Sequence, residues 1–213
     1  MFHSRKIGFA AALMTLIASS AIADAVSDWN SVKLPPPPIL KEVTIDPSTT
    51  ALLIIDMMKL NCNMRPRCMA SFPNVKRLHD EARAHNMPVW FSLGGGADNL
   101  TPDDIYDPSI KPRDGEWASR IVPGLDKFVP SLQTYLRERG VKTLIVCGTA
   151  LQTAILGTVT HAALEGYKII LPVDCASSGD AFRELYAIYQ MGVGGPPPIV
   201  NKTTLTRAAM VKF

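Results

Sequence analysis

The sequence predicts an α/β fold: a doubly wound, mostly parallel sheet with helices on both faces. Three observations predict it. The run Thr50-Ala-Leu-Leu-Ile-Ile-Asp56 is apolar without alternation, the pattern of a strand covered on both sides. Short branched runs of this kind alternate along the chain with segments of helical period. The stretch from Leu144 to Gly166 then reads as a strand, a tight turn and a helix. The helix starts at the strand's carboxyl end, the edge where such sheets collect ligands. The chain has 213 residues, 47% hydrophobic and 19% charged, enough for one domain with a core on either side of its sheet.

Residues 1–23 read as a secretory signal peptide. Arg5 and Lys6 form a basic head, residues 7–17 an apolar centre, and Ala21-Ile22-Ala23 a small-x-small cleavage site. The expectation is an exported chain, periplasmic in setting. The formal net charge is +3, and the leader holds two of the positive charges, so the mature chain is near neutral. No basic patch interleaves with aromatics, which sets nucleic acid aside as a partner. No later stretch is long and apolar enough to span a membrane, so no membrane contact is expected after signal cleavage. Residues 24–43 form a Pro-rich arm in which Pro35-Pro-Pro-Pro38 favours stiff, extended geometry.

From residue 44 onward the elements follow in order. Asp56 falls at the carboxyl end of the first strand. Val75, Leu78, His79 and Ala82 trace one face of a helix over 71–86, with Pro73 near its first turn. Residues 87–93 form the second strand, and Gly94-Gly-Gly96 leaves the backbone unusually free beyond it. Residues 98–124 have no clean period and should cover the active edge or pack on a partner. A helix over 131–140 precedes the third strand, 142–147. The turn at Gly148 and its helix come next, then a fourth strand over 168–173. The helix over 180–191 has Phe182, Leu185, Ile188 and Tyr189 as its apolar side. A turn at 194–198 and a last strand over 200–205 complete the pattern.

Export alters the reading of the four cysteines. In an oxidising compartment Cys62 and Cys68 could close a small loop, but spacing alone does not separate this from two unpaired thiols. Cys147, within a strand, and Cys175, after another, read as packing residues rather than nucleophiles.

Several of these pieces resemble one superfamily. Ala51-Leu-Leu-Ile-Ile-Asp56 is similar to its first strand and aspartate. Gly115-Glu-Trp-Ala-Ser-Arg-Ile-Val-Pro-Gly124 looks like the segment before its lysine, and Leu132 to Gly148 with the following helix looks like its most recognisable block. These are the isochorismatase-like hydrolases, and the resemblance covers residues 44–210, nearly all of the expected hydrolase domain over 44–213. It implies a three-layer α/β/α fold and, commonly, a homo-oligomer. Amidases of the family use an aspartate base, a lysine and a cysteine nucleophile. Carried over, Asp56 matches the base. A cis peptide bond would fall at Thr149–Ala150, and the backbone N–H groups of Ala150 and residue 154 would form the oxyanion and substrate-binding site with Thr149. The position of the missing cysteine is Ala154, whose methyl group can neither attack nor leave. In the shortened segment Leu125-Asp-Lys-Phe-Val-Pro-Ser131, Lys127 is the candidate lysine, although the family's usual slot is near Val122. The alternative is a solvated lysine at a helix entrance.

No metal site and no cofactor are expected. His3, His79, His85 and His161 are scattered, and the nicotinamidase ligand positions after the second strand are occupied by Ser92-Leu-Gly-Gly-Gly-Ala-Asp98. True isochorismatases also lack the cysteine and rely on the aspartate. The implied function is therefore an isochorismatase-family hydrolase acting on a small molecule, with Asp56 as general acid/base and a backbone oxyanion hole. A carboxylated substrate could be held by Arg65 or Arg67, for which the alternative is plain solvation. The other reading is a catalytically degenerate, exported small-molecule-binding protein of the same fold.

Overall fold

The computed structural model describes residues 24–94, 99–119 and 126–213. The expected leader lies outside them, as do Gly95, Gly96 and Val122. The chain divides into two units, residues 1–37 and 38–213. In the described part of the first, the Asp24 carboxylate accepts the N–H groups of Val26 and Ser27 and opens an exposed turn.

The second unit holds the sheet. Its elements are β1 (Val43–Thr44), β2 (Thr50–Ile55), α1 (Lys59–Cys62), α2 (Pro66–Ala84), β3 (Val89–Leu93), β4 (Trp117–Ser119), α3 (Pro130–Glu138) and β5 (Thr143–Thr149). A π-helical turn (Leu151–Ile155) then runs into α4 (Leu156–Leu164). The chain ends with β6 (Lys168–Pro172), β7 (Ala176–Ser177), α5 (Ala181–Gly192), α6 (Pro197–Val200), β8 (Thr203–Thr206) and β9 (Val211–Lys212).

The main sheet has the order β4-β3-β2-β5-β6-β8, and its pairs are parallel. Strand β7 adds to the far end of β5, while β1 and β9 form a separate parallel pair. The order has a direct consequence for ligand binding. The chain leaves β2 outward through β3 and β4, then returns to β5 and builds the other way. The switch point lies between β2 and β5, and a crevice opens outside the carboxyl ends of two such strands.

Both faces of the sheet are covered. Residues 51, 53 and 55 of β2 pack with Leu144 and Val146 under Leu132, Leu136, Ile155, Val159 and Met191. Leu52 and Ile54 pack with Phe91 and Ile145 under Val75, Leu78 and Ala82 of α2. All six β2 side chains are buried, which explains why the run carries no polar alternation.

The structure corrects several boundaries. Helix α2 begins at Pro66 rather than residue 71, because a proline in the first turn lacks only an N–H that has no helical partner there; Pro73 lies inside the helix. Strand β5 continues through Gly148 and Thr149, since β7 supplies partners for both. Residues 197–200 are a short helix and the last strand of the main sheet starts at Thr203. The expected apolar side of α5 is reversed: Phe182, Leu185 and Tyr189 are exposed, Ile188 is half-buried, and Ala187 and Met191 face the core. Gly192 explains the choice, since a methyl group there would meet the Leu205 side chain at 2.4 Å, so the thin side packs inward. Finally, Cys147 and Cys175 are packing residues that are also bonded to each other. The Cys62–Cys68 pairing, open in the sequence, is present as well.

Candidate active site

Parallel strands lie about 4.8 Å apart, so residues that follow a paired position face each other across a narrow gap. Ile55 pairs with Gly148. Asp56 and Thr149 come next, at the switch point. The pairing is possible because residue 148 is glycine: its φ is 121°, and a Cβ would sit 2.0 Å from the Ile55 carbonyl oxygen.

On the β2 side, Asp56 turns the chain with φ 50°, a left-handed conformation that aspartate tolerates better than most residues. Its N–H donates to the Ser92 carbonyl at 3.0 Å and more weakly to Ser92 Oγ. Its carbonyl accepts the Met58 N–H and Asn61 Nδ2, each at 2.8 Å. The side chain is thereby aimed and buried. Ser92 Oγ donates to Oδ1 at 2.7 Å, and Lys127 Nζ lies 3.2 Å from Oδ2.

Lys127 is buried, not a solvated lysine at a helix entrance. Its N–H donates to Thr158 Oγ1 at 2.8 Å, and that hydroxyl donates to the Ala154 carbonyl at 2.6 Å. One threonine therefore ties the lysine to the turn beyond β5. Burial pushes the Asp56 carboxyl above the usual aspartate range, against the opposing pull of the Lys127 ammonium, the Ser92 hydroxyl and the Gly94 N–H. Gly94 closes the wall: a Cβ there would meet Asp56 Oδ1 at 2.8 Å and Lys127 Nζ at 2.9 Å.

On the β5 side the peptide bond Thr149–Ala150 is cis, where the resemblance places it. The chain then makes a π turn, with Ile155 N–H donating to the Ala150 carbonyl at 3.2 Å. Wide turns of this kind concentrate at functional sites. Ala154 lies in this turn and is buried. Thr149 is also buried, and its hydroxyl donates to the Ser177 carbonyl at 3.2 Å.

The structure thus gathers Asp56, Lys127, Thr149, Ala150 and Ala154 at one edge. It does not bring Arg67 there as a free guanidinium, because Arg67 is paired with Glu184. The described histidines are apart: His79 is buried on α2 beside Asp80, His85 stacks on Phe213, and His161 pairs with Asp126. Among the described residues no three His, Cys, Asp or Glu side chains converge as a metal-binding group. Sequence reasoning missed Ser92, Asn61 and Thr158. Ser92 had a signal, as the lone hydroxyl in an apolar strand; Thr158 had a weaker one, four residues after Ala154 on a helix. Asn61 had none.

Comparison with known proteins gives a consistent picture. A family model described as the isochorismatase domain matches residues 50–198. A relative from Bacillus subtilis, the isochorismatase family protein YwoC, is 29% identical over 161 residues, covering 66% of this chain and 84% of that protein. A solved cysteine hydrolase from Pseudomonas syringae superposes with a TM-score of 0.65 at 18% identity, over 81% of this chain and 94% of the other. An N-carbamoylsarcosine amidase from Thermoplasma acidophilum gives 0.58 at 18% identity, over 75% and 96%. At that identity the two structures speak to the fold.

Proposed function

The chain belongs to the isochorismatase family, and from that premise we propose that it hydrolyses a small molecule without a cysteine nucleophile. One observation carries the reading. The buried Asp56–Lys127 pair stands at the switch point, 3.2 Å apart, while the turn beyond β5 presents Ala154 and all four cysteines are tied in disulfides elsewhere.

Chemistry at such a site is acid–base rather than covalent. Asp56, its carboxyl raised by burial, gives a proton to the substrate and takes one back from the water that adds. The adduct then collapses, its new hydroxyl losing a proton as the carbon–oxygen bond to the leaving group breaks and the leaving oxygen gains one, so one bond is cleaved and one water consumed. A vinyl ether suits this sequence, since protonation at carbon prepares the adjacent carbon for water. Lys127 keeps the carboxyl oriented and tempers its rise. The N–H groups of Ala150 and Ala154, at the start of a helix, hold a negative oxygen of the substrate.

The setting is proposed as exported and periplasmic, supported by the two disulfides, because such bonds persist in oxidising compartments. A homo-oligomer is proposed too, supported by the exposed Leu185, Tyr186 and Tyr189 along α5, and light scattering would check it.

The test is a panel of small amides together with isochorismate, assayed with the wild type and Asp56→Asn. Turnover by the wild type, reduced about 10²- to 10⁴-fold in the variant, is expected. A wild type that turns over nothing but binds a ligand the variant loses would sink the reading. In the same panel Ala154→Cys should gain amide hydrolysis.

A further inference from the structure

The two halves of the site are reached from a single covalent loop. Cys62 closes α1 and Cys68 lies in the first turn of α2, and the bond between them spans a sequence separation of 6 with Cα atoms 5.0 Å apart. Both cysteines are fully buried.

One path leaves the loop beside Cys62. Asn61 Nδ2 donates to the Asp56 carbonyl at 2.8 Å and to the Gly94 carbonyl at 2.6 Å. Those carbonyls belong to the residue that carries the carboxyl and to the glycine that walls it. Asn61 therefore fixes the ends of β2 and β3 relative to each other. The amide has two N–H groups and both are used, which only an asparagine or a close analogue can do here.

The other path leaves beside Cys68. The Arg67 guanidinium makes two bonds to the Glu184 carboxylate on α5, the Nε bond being 2.7 Å. Glu184 Oε1 also accepts the Ser178 N–H at 2.9 Å, and Ser178 Oγ donates to Gln152 Oε1 at 2.5 Å. Gln152 lies in the π turn, two residues before Ala154. A forked guanidinium–carboxylate pair is directional as well as attractive, so it transmits position and not only charge.

We propose that the Cys62–Cys68 loop is a clamp that holds the Asp56 half and the π-turn half of the site in register, with Asn61 and Arg67 as its positioning residues. Its importance for turnover rests on the hydrolase reading above; its mechanical content does not. The loop joins two segments that the sheet alone leaves to loops, and it does so through bonds that end on main-chain carbonyls and a turn side chain.

The experiment is amide hydrogen exchange by NMR on the full chain, on Asn61→Ala, Arg67→Ala, Arg67→Lys and the double variant Cys62→Ala/Cys68→Ala. In Asn61→Ala, exchange at the Asp56 and Met58 amides should rise about tenfold, the scale of one lost hydrogen bond to a buried carbonyl, while the Ile155 amide stays as in the wild type. In Arg67→Ala the pattern should invert. Arg67→Lys, which keeps a charge but not the fork, should fall between. The double cysteine variant should loosen both segments, and Ile169 and Leu171 in β6 should be unchanged throughout. Equal acceleration everywhere, β6 included, would mean a general loss of stability and overturn the clamp, as would unchanged exchange at both segments. If exchange splits as expected while the substrate panel is inert, the clamp stands and the hydrolase reading falls. If the panel is turned over in an Asp56-dependent way while exchange does not split, the reverse holds.

Discussion

The two strand ends that meet at the site are built on opposite plans. At the end of β2 the groups presented are side chains: a carboxyl, an ammonium and a hydroxyl, each placed by bonds to buried partners. At the end of β5 they are main chain: a cis bond, a π turn and a glycine, lined by alanine and threonine. The first half depends on which residues are present, the second on which conformations the residues permit. A substitution at the β2 end should therefore alter chemistry before stability, and one at the β5 end stability before chemistry.

The largest expected effect breaks the β5 half. Gly148→Ala puts a methyl group 2.0 Å from the Ile55 carbonyl at a φ of 121°, so two central strands must part. A loss of about 4 kcal/mol or more is expected, with little folded protein recovered; denaturant unfolding measures it. Next comes Gly94→Ala, whose methyl group meets Asp56 Oδ1 at 2.8 Å and Lys127 Nζ at 2.9 Å. The long lysine side chain can yield, so the melting temperature should move little while kcat/KM falls about 100-fold from misplaced groups. If Gly94→Ala unfolds the protein and Gly148→Ala does not, the contrast between the halves is wrong.

The smallest effect sharpens the contrast through pH. The folded protein holds a proton on Asp56 above the pH at which the unfolded chain releases it. The stability contributed by the protonated carboxyl is complete below the ordinary aspartate range and is lost as pH rises through the raised value. Asparagine has no such proton. Wild-type stability measured relative to Asp56→Asn should therefore decline as pH rises, with a slope of at most about 1.4 kcal/mol per pH unit. Urea unfolding of both proteins at fixed ionic strength reads it directly, and a flat difference would show a carboxyl with no net shift.

The same contrast explains what was legible. Thr50 to Asp56 announces itself because burial on both faces removes polar alternation. Ala154 is legible only by resemblance, since an alanine in an apolar helix start carries no signal of its own. Lys127 was found, but its burial was not, because the contact with Asp56 is made across the switch point by residues distant in sequence. Asn61 was invisible: its partners are main-chain carbonyls, which every residue has. The α5 side was misjudged for a different reason. Periodicity shows where apolar residues fall on a helix, but the fit of Gly192 against Leu205 decides which side this chain covers.

The bond between Cys147 and Cys175 lies at the root of the β5 half, next to Gly148, whose N–H donates to the Cys175 carbonyl at 2.9 Å. Both sulfurs belong to fully buried residues. Exchange needs an attacking thiolate to reach a sulfur, and none can approach while the sheet is closed. The pair therefore exchanges only when the sheet opens. In the folded molecule its redox state follows the rate of that opening rather than the thiol content of the surrounding solution.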